Sequence, residues 1–230
     1  MKDYLNNSDI TRIYREYVLK NNIEDYKYVP LPIAKNINKW RWENKDFPRV
    51  ISLLEFQEFF AKNNYNFEKV LCFNGDSDPE FEFLPYKTKK IIHYETDPTN
   101  NDLHNLNLLD KDYDFCMLNQ TLEHLYDPIL CLKNINSHLK KGGIFYCNLP
   151  VINIPHMTPL HHYTGFTPTG LGCIAEAAGF EIISLGSWGN KEYILKLFEE
   201  LTWPSYQDLI NPGLNQKEYP VISWIFGRKK

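Results

Sequence analysis

Two clusters of polar and titratable residues stand where apolar runs end in this chain. The run Phe115-Cys116-Met117-Leu118 breaks into Asn119, Gln120, Thr121, Leu122, Glu123 and His124. The run over 144–149 is followed by a loop carrying His156, His161, His162, Tyr163 and Thr164. Amides, a carboxylate and imidazoles at strand ends mark a cleft, because open α/β sheets bind ligands beyond the carboxyl ends of their strands. An imidazole with a pKa near ~6.5 can take a proton from a hydroxyl at neutral pH. His156 or His161 is the expected base, ahead of His162, and His124 is a further candidate. A loop simply held together by its histidines is the structural alternative. The pair Glu123 and His124 either orients loop backbone or does chemistry.

The elements that must position these residues follow from periodicity. From residue 69 onward short β-rich runs alternate with longer helical ones, which predicts a parallel sheet of βα units. Strands are expected over 70–73, 91–94, 115–118, 144–149, 181–185 and 221–226. A helix over 125–139 carries Ile129, Leu132, Ile135 and Leu139 on one face, and Lys140, Lys141 and Gly142 read as its cationic last turn and stop. Another starts with Thr167 as cap and Pro168 in its first turn, stopping at Gly179. A third covers 191–201. Residues 1–68 lack the βα repeat and read as an N-terminal helical extension, leaving 69–230 as the main domain. Helices are expected there over 8–21 and 52–63, the second opened by a capping box of Ser52 and Glu55. Between them Trp40-Arg41-Trp42 reads either as a lid over a ligand mouth or as docked structure.

Composition narrows the functional classes. At 230 residues and 43% hydrophobic the chain can build one sizeable core. Net charge is −4 and the lysines are scattered, so no footprint for a nucleic-acid backbone is visible. No apolar run approaches the ~20 residues that span a bilayer. The cysteines Cys72, Cys116, Cys131, Cys147 and Cys173 lack CxxC spacing and read as reduced packing residues of a cytoplasmic protein.

The order of motifs from Lys69 to about Gly189 resembles the class I, Rossmann-like S-adenosylmethionine-dependent methyltransferases. The resemblance is carried by Asp114 opening a strand that leads into Leu122-Glu123-His124, by Glu95 at the end of the second strand, and by Asp102-Leu103 ahead of Asp114. It implies a mostly parallel sheet with helices on both faces and an antiparallel last strand. It also implies S-adenosyl-L-methionine as cofactor. The loop Asn74, Gly75, Asp76 and Ser77 would seat its methionine part, although only one glycine remains of the family's G-x-G turn. Glu95, with Thr96 beside it, would accept from the ribose hydroxyls, Asp97 pointing elsewhere. Asp102 and the Leu103 amide would read the adenine edge, and Asn119 with Gln120 would shape the transfer site. Some similar methyltransferases bind a metal through a Glu-x-x-Glu-His arrangement. Gln120 stands where the first acid of that arrangement would be, so no metal is expected.

The expected activity is methyl transfer, at oxygen, to a small molecule or glycan precursor, with neither nucleic acid nor membrane as partner. Two rivals come from other classes: an inert binding module that keeps the fold, and a nicotinamide-dependent oxidoreductase. The second lacks the G-x-G-x-x-G turn that a pyrophosphate needs.

Overall fold

The computed structural model describes residues 5–20, 42–73, 75, 77–94, 101–156 and 163–230. Six strands form one sheet: β1 Phe67–Phe73, β2 Tyr86–Ile92, β3 Tyr113–Asn119, β4 Leu139–Pro150, β5 Phe180–Gly189 and β6 Pro220–Lys229. Their spatial order is β2-β1-β3-β4-β6-β5. The first four are parallel, and β6 lies antiparallel between β4 and β5, as the resemblance implied. Every strand extends beyond its expected core, and β2 also ends earlier, at Ile92.

Alternating side chains give the sheet two apolar faces. On one, Val70, Cys72, Phe115, Met117, Tyr146 and Phe226 meet helix α2, Phe47–Lys62. Phe56 packs edge-on against Tyr146 at 4.8 Å, and Phe59 stacks on Phe226 at 3.7 Å. On the other, Leu71, Cys116, Leu118, Phe145 and Cys147 meet helices α3, Pro128–His138, and α4, Pro168–Ala177. Burial of each such side chain contributes ~1.5–3 kcal/mol. The last helix, α5, spans Lys191–Glu200. Helix α1, Asn7–Ile13, continues into a π-helical turn and seats fully buried Ile13 over Gly172. A Cβ at Gly172 would fall 2.7 Å from Ile13, so the glycine makes the socket. Arg12 closes the contact with two bonds of 2.7 Å to Glu176.

Several helix boundaries differ from the sequence reading, among them the start of α1 at Asn7, the start of α3 at Pro128 and two whose causes are plain. α2 begins five residues before Ser52, because Phe47, Val50 and Ile51 extend its apolar face and Pro48 suits a first turn. Ser52 is therefore interior: it is fully buried and its hydroxyl donates to the Arg49 carbonyl. α3 ends at His138, and Lys140 and Lys141 lie on β4. Lys140 is drawn there by Asp114, which also accepts from the amides of Glu68 and Lys69 at 2.8 and 2.7 Å. Burial alone would raise the Asp114 carboxyl, but Lys140 and those amides outweigh it and hold it below the usual range. Asp114 thus ties three strands together. Thr167 caps α4 as expected, accepting from the Gly170 amide.

Trp42, the described member of the Trp40-Arg41-Trp42 segment, is buried against Tyr206. Trp40 and Arg41 lie outside the described residues.

Candidate functional site

Strand β1 has β2 on one side and β3 on the other, so the chain's direction of winding reverses between β1 and β3. The crevice beyond their carboxyl ends is where an open sheet binds ligands. A cavity of about 380 Å³ occurs there, lined by Asp46, Arg49, Gly75, Asp78, Asn119, Gln120, Asn153, His156 and Trp203. That volume falls in the range of ~300–1,000 Å³ typical of small-molecule sites.

The floor is a chain of amides built on strand ends. Asn148 of β4 is fully buried and donates to Asn119 Oδ1 at 2.7 Å, while its own Oδ1 accepts from Gln120 Nε2 at 2.6 Å. Asn119 in turn donates to Asp78 at 2.7 Å. Gln120 holds a left-handed backbone, φ 46°, and its amide donates to the Asn148 carbonyl at 2.9 Å. Such a backbone in a non-glycine residue costs on the order of 1–3 kcal/mol and collects at functional sites.

The first loop makes a tight turn in which the Asp78 amide donates to the Gly75 carbonyl at 3.0 Å. Gly75 has φ 61°, and a Cβ there would fall 2.3 Å from the Asp78 carboxylate. Only glycine combines that φ with a carboxylate packed where a Cβ would be. Ser77 is exposed on the turn and is not part of the cavity wall. Among the described residues of the crossover from β1 to β2 the helical element is the 3-10 turn Pro79–Glu82, and none of them is α-helical. The wall is completed from α2 instead. Arg49 reaches Glu80 through two bonds, one of 2.6 Å, and lies 3.9 Å from Asp78. Burial would lower the Arg49 guanidinium, but Glu80 and Asp78 outweigh it and raise its pKa.

On the loop after β4, the imidazole of His156 bonds through Nδ1 to the Ile154 carbonyl at 2.8 Å. A carbonyl only accepts, so Nδ1 carries the proton and Nε2 is the basic nitrogen. His124 is buried, and its ring meets His156 edge-on at 4.8 Å. Trp203 contacts the His156 ring at 5.5 Å and donates to Asn153 at 2.9 Å. The Glu123 carbonyl accepts from the Tyr163 amide at 2.7 Å, which binds the Leu122–His124 turn to the histidine loop. Glu123 and His124 approach to 3.9 Å. Among the described residues no three His, Cys, Asp or Glu side chains gather as a metal site.

Asp102 and Leu103 stand apart from the cavity wall. Asp102 caps the turn Leu103–Asn105, accepting from the His104 amide at 2.9 Å and from His104 Nδ1 at 2.7 Å. Leu103 is buried, and Asn134 fixes its carbonyl at 2.9 Å. Asn74, Asp76, Glu95, Thr96, Asp97, His161 and His162 lie outside the described residues.

Of the sequence candidates, Gly75, Asn119, Gln120 and His156 share one cavity. Sequence reasoning missed Asp46, Arg49, Asn148, Asn153 and Trp203. A readable signal existed for Asn148, an amide inside an otherwise apolar strand, and for Arg49, a cation inside the apolar run of α2.

Residues 55–185, more than half of the chain, match the family described as a methyltransferase domain. No curated protein matches the sequence. An S-adenosylmethionine-dependent methyltransferase from Clostridium acetobutylicum superposes with TM-score 0.51 at 11% identity, covering 86% of this chain and 97% of that one. The N-methyltransferase NodS from Bradyrhizobium japonicum, in complex with S-adenosyl-L-homocysteine, superposes with TM-score 0.49 at 11% identity, covering 86% and 96%. The chain belongs to the methyltransferase-domain family, in the class I, S-adenosylmethionine-dependent group. It is an enzyme, and its cofactor is S-adenosyl-L-methionine. The Asp78 carboxylate packed on Gly75, beside the side-chain amides of Asn119 and Gln120, gives the cavity the acceptors and donors that fit the ammonium and carboxylate of that cofactor's methionine end.

Proposed function

We propose that this enzyme methylates an oxygen of a small molecule or glycan precursor, in the cavity beyond the ends of β1, β3 and β4. The observation that carries the reading is His156, whose imidazole lines the same wall as Asn119 and Gln120 and carries its basic nitrogen at Nε2.

The roles divide along the cleft. The turn of Asn74, Gly75 and Asp76 holds the methionine part of the cofactor without Ser77, Glu95 with Thr96 holds the ribose, and Asp102 with the Leu103 amide, which stand apart from the cavity wall, holds the adenine. When bound, the cofactor supplies a methyl group on a sulfonium that accepts the carbon–sulfur bonding pair as the acceptor oxygen attacks. Asn119 and Gln120, fixed through Asn148, hold the acceptor in line, and positioning of this kind supplies much of the rate. His156 Nε2 takes the hydroxyl proton. His124, buried behind it, supports the ring, and His161 is the alternative base. The net charge of −4 without a basic cluster favours a neutral or cationic small acceptor over nucleic acid. No helix among the described residues is long and apolar enough to cross a membrane, and the five cysteines are free thiols, which supports a cytoplasmic site of action.

The test is release of S-adenosylhomocysteine from the cofactor with matched hydroxyl, amine and carbon acceptors, the product read by mass spectrometry and NMR. Methyl ethers are expected. Replacement of His156 by Ala should lower turnover by ~10²–10⁴ and leave S-adenosylhomocysteine binding intact. Methylated amines as the only products would overturn the assignment to oxygen.

A further inference from the structure

Three charged wall residues, Asp46, Arg49 and Asp78, have no part in that scheme, and Asp46 stands out among them. Asp46 stands at the N-terminal end of α2, where an aspartate ordinarily turns back to cap the first free amides of its helix. It makes no such bond. Its backbone is pinned elsewhere, by a bridge to Ser205 and by the Phe47 amide, which donates to the Pro204 carbonyl at 3.0 Å. The carboxylate accepts a 2.5 Å bond from the Tyr193 hydroxyl of α5 and lines the cavity with Gly75, Asn119 and Gln120. The other ionisable groups around it are Arg49 on its own helix, Asp78 and Glu80 on the crossover, and His156 on the loop after β4. Arg49 is already matched by Glu80. Asp46 and Asp78 therefore leave the cavity with surplus negative charge, and of the two Asp78 is held by Asn119.

We infer that Asp46 is the counter-charge by which the cleft distinguishes the methylated cofactor from its demethylated product. The inference rests on the reading that the cofactor's methionine end lies over Gly75. S-Adenosylmethionine carries a sulfonium charge that the thioether of S-adenosylhomocysteine lacks, and the rest of the two molecules is the same. A carboxylate in a partly desolvated cavity attracts the ammonium that both ligands share and, in addition, the sulfonium of the first, so it raises the affinity of the first more. Methyl transfer then removes one member of a charge pair, which favours release of the product. Burial pushes the Asp46 carboxyl up to about 7, against the lowering influence of the Tyr193 bond and the Arg49 charge. The discrimination is therefore full above neutral pH and fades as Asp46 protonates below it.

Calorimetry with S-adenosylmethionine, S-adenosylhomocysteine and sinefungin, whose amine replaces the methylated sulfur centre, tests this on the whole chain. Asp46→Asn keeps the shape and the Tyr193 bond but removes the charge. It should lower the ratio of the S-adenosylhomocysteine to the S-adenosylmethionine dissociation constant by about tenfold, through a larger loss of binding for the two ligands charged at the sulfur position. In the unaltered protein the same ratio should fall as pH drops through Asp46 protonation. In Tyr193→Phe it should fall at higher pH, because loss of the hydroxyl raises the carboxyl further. A ratio unchanged in Asp46→Asn overturns the inference. Gly75→Val separates the two levels of argument. If it binds all three ligands normally, the placement over Gly75 is wrong. If it loses all three while Asp46→Asn keeps the ratio, the placement stands and only the counter-charge fails.

Discussion

Asn148 donates to Asn119 across the β3–β4 junction at 2.7 Å, and this bond turns the Asn119 amide toward Asp78 on the first loop. The floor of the cleft is thus set by a buried residue that is not itself part of the wall. Tyr146 extends the chain, accepting from Asn148 at 3.2 Å and donating to the Ser52 carbonyl of α2 at 3.1 Å. Helix, strands and loop share one polar network, and such networks rigidify a site only when every member is satisfied.

Asn148→Ala should therefore act at a distance. It leaves Asn119 Oδ1 and Gln120 Nε2 without their present partner, at a cost of about 1–3 kcal/mol, read as a lower urea midpoint at unchanged m. S-Adenosylhomocysteine affinity should fall with it. Full affinity in a destabilised Asn148→Ala protein would show that the amide chain serves the fold and not the site.

Arg49→Met should destabilise by about 3–5 kcal/mol, because it leaves the fully buried Glu80 carboxylate without its cation. For a chain of this size the melting temperature drops ~2–4 °C per kcal/mol. The double variant Arg49→Met with Glu80→Leu should recover most of that loss, since a buried pair replaced by apolar side chains is often neutral. Equal melting temperatures for the single and double variants would refute the pairing.

The fold was legible in the sequence because the cores of its central strands are short, apolar and bounded, and a buried parallel sheet demands that pattern. The site was legible only where chemistry shows in a single segment. Asn119, Gln120 and His156 follow strands and could be found from that position. Asp46 could not, since it reaches the cleft from the start of a helix that precedes the sheet, and Arg49, though conspicuous as a cation in an apolar run, carries no sign of which cleft it enters. Ser52 and Glu55 show how local pattern misleads. They have the spacing of a capping box, yet both lie inside α2, where burial pushes the Glu55 carboxyl up to about 7. The apolar residues upstream decided the boundary, and their partners Trp188 and Tyr206 are far away in sequence.

Asp114→Asn gives a prediction with a definite pH sense. The folded-state pKa of Asp114 lies below its ordinary value, so its contribution is present above the unfolded pKa of ~3.9 and is lost as pH falls through the folded one. The variant should be less stable by about 1.5–3 kcal/mol at neutral pH. The gap should stay flat down to about pH 5 and then close in acid. Denaturant titrations at several pH values check this, and a gap that persists undiminished in strong acid would remove the carboxylate from the account.

The last prediction separates the two acids assigned to the nucleoside. Glu95→Ala should weaken S-adenosylhomocysteine binding by roughly 1.5–3 kcal/mol, the worth of hydrogen bonds to a charged group. It should weaken 5′-methylthioadenosine equally, because that ligand keeps the ribose and adenine and lacks the amino acid. The far-ultraviolet circular dichroism should stay unchanged. Asp102→Ala should behave differently, since Asp102 also caps the turn that presents Leu103 and fixes the His104 ring beneath Tyr126. Loss of that cap costs about 0.5–2 kcal/mol of stability, so affinity and melting temperature should fall together. If Glu95→Ala binds both ligands normally, the ribose assignment passes to Asp97 and Asp97→Ala should show the loss instead. If Asp102→Ala loses stability but keeps its affinity for 5′-methylthioadenosine, its carboxylate serves the turn alone, and adenine must be read by the Leu103 amide without it.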